Sequence, residues 1–210
     1  MIKLICFDLW STLATRTDTK YHFSDTLKKK FNLNINKEKL ISIFEETVQT
    51  KYWENELDTH NELAEKLNIP LTKENIFKIT AIRDKAENQI KLYDFTIPLL
   101  KELQNQKYKT ALITNSSIFI YDIIKQETNI LDYLDYSLFS FQIGVVKPHP
   151  QIYLEMQART NFENKEILMI GDTYSKDIEA PKKLGWNTIH FTGDYNKLKE
   201  DFLKHNIFVK

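Results

Sequence analysis

This chain of 210 residues has one cysteine, four glycines and five prolines. The single Cys6 excludes an internal disulfide and a cysteine-based zinc site, which fits a reducing compartment. Its neighbours Leu4, Ile5 and Phe7 read it as a buried core thiol. The scarcity of glycine beside abundant Lys, Asn and Ile reflects genome composition more than function. Neither sign of charge is in excess, with 29 basic and 29 acidic residues. No basic stripe points to nucleic acid, and no acidic tail points to a disordered or chaperone-like partner. No run approaches the roughly 18 apolar residues of a membrane span. The first apolar run is too short for a signal peptide and ends at Asp8 with no small-residue cleavage site. The expectation is a cytoplasmic protein with no membrane or nucleic-acid partner and no low-complexity linker.

One full domain, or a core with an insertion, fits within this length. Residues 2–7, "IKLICF", read as a short buried strand. From Thr15 to about Leu92 the pattern turns helical, with segments near 22–32, 36–55, 58–68 and 72–91 and no convincing strand among them. Leu40, Ile43, Phe44 and Val48 share one helical face, and Thr72 is a plausible cap for the last segment. After Tyr93 strands and helices alternate. Strands are predicted at 109–114, 136–140, 166–170 and 187–191, and helices near 95–106, 117–128, 151–160 and 175–185, the last ending at Gly185. Such alternation implies an α/β fold with a doubly wound parallel sheet. Residues 1–14 and 93–210 would form the core, with 15–92 inserted as a helical cap.

In open parallel sheets ligands bind beyond the carboxyl ends of the strands. Asp8 follows the first predicted strand; Thr114 and Asn115 end the second. Lys147 follows the third in "GVVKPHPQIY", and Asp172 and Asp177 follow the fourth in "GDTYSKD". A carboxylate, a hydroxyl, a lysine and two further carboxylates would converge on one crevice. Taken singly, each has a plainer reading: the aspartates as helix-start residues, Lys147 as a surface lysine, Tyr153 as core packing and His149 as a loop residue.

In order, "FDLWSTL", "LITNSS", "GVVKPHPQIY" and "IGDTYSKDIEAPKKLG" resemble the four motifs of the haloacid dehalogenase (HAD) superfamily. The resemblance covers about residues 1–14 and 93–210, and the helical insertion matches the family's cap in position and size. It implies a Rossmann-like core, Asp8 as the nucleophile, Thr114 and Lys147 as catalytic partners, and Mg²⁺ held by Asp8, Asp172 and the backbone carbonyl of Trp10. Asp177 would support the metal or hold Lys147. Asn115, Trp10 and Arg16 are the expected substrate contacts, with Tyr52 and Trp53 as further cap candidates.

Trp10 departs from the family's phosphatase pattern. It stands where phosphatases carry a second aspartate, the general acid for the leaving group and then the general base for water. Indole serves neither purpose, and such proton transfer is worth roughly 10²–10⁴-fold. Substrates with activated leaving groups, acyl or aryl phosphates, should suffer least. Ser11, where glycine is common in the family, is a milder departure. The expected function is hydrolysis of a small phosphorylated metabolite by phosphoryl transfer to Asp8. The alternatives are a 2-haloacid dehalogenase, whose relatives carry an aromatic at this position, and a non-catalytic HAD-like binding or regulatory protein. A phosphonatase-type route would need a cap lysine, for which Lys20, Lys28, Lys29, Lys30 and Lys51 are available.

Overall fold

In a computed structural model, which describes residues 1–18, 21–87 and 90–209, the chain opens with β1 (Leu4–Phe7), buried at every position. A three-residue strand β2 (Ala14–Arg16) follows, then helices α1 (Phe23–Lys30), α2 (Lys37–Val48), α3 (Glu56–Lys66) and α4 (Lys73–Glu87). Strand β3 (Ile90–Leu92) returns the chain, and α5 (Thr96–Asn105), β4 (Lys109–Thr114), α6 (Ile118–Glu127), β5 (Tyr136–Phe139) and α7 (Pro150–Thr160) come next. Then follow β6 (Ile167–Gly171), a π-helical turn Tyr174–Glu179, the short α8 (Ala180–Lys183), β7 (Asn187–His190) and α9 (Tyr195–Leu203).

Five strands form a wholly parallel sheet in the order β5-β4-β1-β6-β7. The chain steps outward from β1 to β4 and β5, then crosses to β6 and β7 on the other side. This reversal puts the ends of β1, β4 and β6 at a topological switch point, where open α/β sheets bind ligands. Two apolar clusters cover the faces of the sheet. One includes Ile5, Phe7, Leu100, Leu112, Phe139 and Phe202, the other Leu4, Cys6, Ile113, Tyr153, Met169 and Trp186. Cys6 is a buried thiol, as its neighbours imply.

A third cluster lies wholly within the helical insertion, with Phe23, Leu27, Leu40, Phe44, Leu63 and Ile79 in its centre. Leu40, Phe44 and Val48 of α2 are buried there and Ile43 packs at its edge, the face anticipated from their spacing. Thr72 does cap α4, its hydroxyl accepting from the Asn75 N–H at 3.2 Å.

Three expectations are corrected. The insertion is not strand-free: β2 and β3 pair antiparallel where the chain leaves and returns, and three residues per strand show no periodicity. Helix α2 stops at Val48 instead of reaching 55. Its end is closed when the Trp53 indole N–H donates to the Val48 carbonyl at 3.1 Å, and β-branched and aromatic residues follow. The predicted helix 175–185 is a π turn plus one short α segment, ending at Gly185 with φ +82°.

Candidate active site

Strand β1 runs its ladder one residue past its end, the Asp8 N–H donating to the Ile170 carbonyl at 2.8 Å. A tight turn follows, in which the Leu9 carbonyl accepts from the N–H groups of Thr12, Leu13 and Ala14. Ser11 sits at its apex with φ +58°, the left-handed region that favours glycine. The turn holds Asp8 at the mouth of the sheet, and Trp10 lines the same crevice. Its closing bonds use the Leu9 and Ala14 carbonyls and not that of Trp10.

Lys147 joins the strand ends. Only 2% exposed, its Nζ donates to Asp8 Oδ1 and to Asp177 Oδ1, each at 2.7 Å. Asn115 clamps the lysine's backbone: its Oδ1 accepts from the Lys147 N–H at 2.7 Å and its Nδ2 donates to the Lys147 carbonyl at 3.1 Å. Thr114 is fully buried, and its hydroxyl pairs with that of Ser116 at 3.1 Å.

The π turn carries Asp177 back beneath the end of β6. Its Oδ2 accepts from the Thr173 N–H at 3.0 Å, and π turns inside helices often mark functional sites. The buried Tyr153 hydroxyl donates to the Lys176 carbonyl in the same turn. Tyr153 therefore packs in the core, edge-on to Trp186, and also fixes the site's backbone. His149 caps α7, its Nδ1 accepting from the Gln151 N–H at 3.3 Å.

Asp8, Asp172 and Asp177 bring ligand oxygens within 4.8 Å of one another. Three carboxylates face a single buried lysine, an excess of negative charge. Burial pushes Asp8 up to about 7, with Lys147 opposing and Asp177 and Asp172 adding to the rise. Asp172 is raised too, by burial first and Asp177 second. Burial disfavours the Lys147 charge, but Asp177 and Asp8 outweigh it and hold the ammonium above the usual lysine range. An all-oxygen set with uncompensated charge suits a hard divalent cation such as Mg²⁺.

Among the described residues, the crevice of about 140 Å³ is lined by Asp8, Trp10, Ser11, Asn115, Lys147, Asp172, Thr173, Lys176, Asp177 and, from the insertion, Glu45. Arg16 stays outside that lining. Its Nε donates to the Ala86 carbonyl of α4 at 3.0 Å, and its guanidinium lies 5.0 Å from the centre of the Trp10 ring. Tyr52 is 70% exposed, and Trp53 is occupied at the end of α2. Neither lines the crevice. Nor do Lys28, Lys29, Lys30 or Lys51, the last paired with Glu62 at 2.7 Å; Lys20 lies outside the described residues.

Sequence reasoning missed Glu45 and Lys176. Lys176 Nζ reaches both Glu45 oxygens, at 2.7 and 2.6 Å, and Asn115 Nδ2 reaches Oε2 at 3.3 Å. One signal was available: Glu45 and Glu46 stand in the last turn of α2 with no basic residue there, where the helix dipole disfavours anions.

A family model described as haloacid dehalogenase-like hydrolase matches residues 2–185. The glyceraldehyde 3-phosphate phosphatase of Pyrococcus furiosus is 30% identical over 116 residues, 52% of this chain and 46% of that protein. Its namesake from Methanocaldococcus jannaschii is 24% identical, covering 96% of this chain and 90% of its own. The chain spans about half or less of the length of the first curated relatives it matches. A HAD family enzyme from Bacteroides thetaiotaomicron, solved with magnesium and inorganic phosphate, superposes with a TM-score of 0.67 at 18% identity, over 94% of this chain and 99% of that one. No helix among the described residues is long and apolar enough to cross a membrane.

Proposed function

The chain belongs to the haloacid dehalogenase-like hydrolases, and on that premise we propose that it is a Mg²⁺-dependent phosphatase acting on a small phosphorylated metabolite through Asp8. The observation that carries the reading is the buried Lys147 bridging Asp8 and Asp177 beside a third carboxylate. Asp8 is the group placed to attack phosphorus, splitting one hard displacement into two. Lys147 aligns Asp8 and supplies fixed positive charge to phosphoryl oxygens, while Asn115 keeps the lysine in register. Thr114, expected as a catalytic hydroxyl, is buried outside the crevice lining and paired with Ser116, so its part here is to stiffen the end of β4. Asp8, Asp172 and the Trp10 carbonyl would hold Mg²⁺, with Asp177 in support. Bound there, the metal supplies the charge that offsets repulsion between an anionic nucleophile and a phosphate dianion.

The phosphatase names of the curated relatives support the reaction class. The crevice of about 140 Å³ favours a small substrate, and the helical block 15–92 acts as the cap over it. Trp10 lines the crevice where a proton donor is needed, so an activated leaving group is favoured over a sugar-like alcohol. Trp10 is also the feature that favours a dehalogenase. Three clustered carboxylates oppose that reading, because they repel the carboxylate of a haloacid.

Phosphate release from acetyl phosphate, an aryl phosphate and an alkyl phosphate tests the proposal. Expected is turnover that needs Mg²⁺, disappears in Asp8→Asn and falls steeply for the alkyl ester. Equal rates for all three would contradict the role given to Trp10. Halide release from 2-haloacids that survives EDTA would favour the dehalogenase. Binding of a phosphate analogue with no product would favour a non-catalytic protein.

A further inference from the structure

Among the described residues, Glu45 is the one that the helical insertion contributes to the crevice. Its side chain is 16% exposed. A carboxylate offers about four lone-pair sites. Lys176 occupies two, one on each oxygen, and Asn115 a third, which leaves one open. Both partners fix the direction of the carboxylate.

Every other carboxylate lining the crevice is committed. Asp8 is the proposed nucleophile and Asp172 a proposed metal ligand. Asp177 uses one oxygen on Lys147 and the other on the Thr173 N–H. Trp10 cannot accept a proton in its ring. We propose that Glu45 is the general base that activates water in the second half of the reaction, replacing from the cap the carboxylate missing at position 10. The inference rests on the phosphoryl transfer to Asp8 proposed above.

The step balances without a further reactant. The water oxygen bonds to phosphorus as the bond from phosphorus to the Asp8 oxygen breaks, its electron pair returning to the Asp8 carboxylate. One water proton passes to Glu45, hydrogen phosphate departs, and Glu45 releases the proton to solvent. In-line attack brings water in from the side vacated by the leaving group, and a cap residue is suited to reach that side. The role proposed for Glu45 is confined to the attack of water in the second half, so the preference for activated leaving groups in the first step is unchanged.

The test is pre-steady-state hydrolysis of an aryl phosphate with Mg²⁺, wild type against Glu45→Gln, with circular dichroism as the folding control. Expected in Glu45→Gln is a burst of phenolate near one per enzyme at close to the wild-type rate. Steady turnover then falls roughly 10²–10⁴-fold, as loss of a general base predicts, and acid-stable-bound phosphate accumulates on the protein. Formate added to Glu45→Ala should restore steady turnover without changing the burst. Unchanged turnover in Glu45→Gln, or equal loss in burst and steady phases, would overturn the proposal, the latter assigning Glu45 to cap closure alone. Failure of the underlying reading looks different: Asp8→Asn would keep releasing phosphate, or the wild type would give no phenolate.

Discussion

Gly171 and Asp177 share one small space: a Cβ at position 171 would lie 2.3 Å from Asp177 Cγ and 2.5 Å from its Oδ2. The carboxyl that anchors Lys147 therefore lies directly against the end of β6. Gly171→Ala must push Asp177 away, and no flexible tail is available to yield. The expected cost is about 1–3 kcal/mol, as for overpacking elsewhere, read as a lower denaturant midpoint, with at least a tenfold loss of phosphate release. A variant with wild-type stability and rate would show that the approach does not matter.

The same glycine illustrates what was legible in the sequence. Asp8, Asn115 and Asp172 stand at or just beyond the ends of β1, β4 and β6, and they gather at one mouth with Lys147 and Asp177 from the loops after β5 and β6. The π turn was not legible, because its cause is the return of Asp177 beneath Gly171, a contact absent from any helical pattern. The ribbon of Ala14–Arg16 with Ile90–Leu92 was too short to show alternation. Glu45 meets Lys176 across 131 positions of chain, and nothing local to either residue names the other. Arg16, an expected substrate contact, lies outside the crevice lining, its guanidinium against the Trp10 ring and its Nε on the Ala86 carbonyl.

Lys147→Met should be among the most damaging substitutions. It leaves Asp8 and Asp177 buried without their shared cation, and breaking such a pair from one side costs about 3–5 kcal/mol. Chemical denaturation at neutral pH measures the loss. A deficit under about 1 kcal/mol would mean that water or relaxation already screens the carboxylates.

Trp10→Asp should convert substrate preference. With a carboxyl at the crevice wall, alkyl phosphate turnover should rise about tenfold or more relative to aryl phosphate, as general-acid assistance predicts. The variant also forfeits the contact with Arg16, about 0.5–2 kcal/mol for a cation over an aromatic face. Parallel rates on both esters, with the ratio unchanged from wild type, would contradict the explanation of the leaving-group preference.

Acid should weaken the protein through His60 in the insertion. This ring is fully buried. Thr80 Oγ1 donates to the Ile76 carbonyl, so its contact with His60 Nδ1 at 2.9 Å has the ring N–H as donor. Burial first, and Arg83 second, lower His60 to about 4 from 6.5. The unfolded chain then binds more protons than the native state between about pH 6.5 and 4, and stability falls as pH drops through that window. The full difference is up to about 3 kcal/mol for a shift of this size. His60→Gln should flatten the dependence seen in wild-type melts between pH 7 and 4. An identical slope in both proteins would assign the acid sensitivity elsewhere.

The central claim is that Asp8 takes the phosphoryl group. The most direct measurement is intact-protein and peptide mass after rapid acid quench from acetyl phosphate with Mg²⁺. The account predicts a mass gain of one phosphoryl group on the peptide that contains Asp8, absent without metal and absent in Asp8→Asn. Phosphate release by wild type with no adduct at position 8, together with sustained turnover in Asp8→Asn, would contradict it.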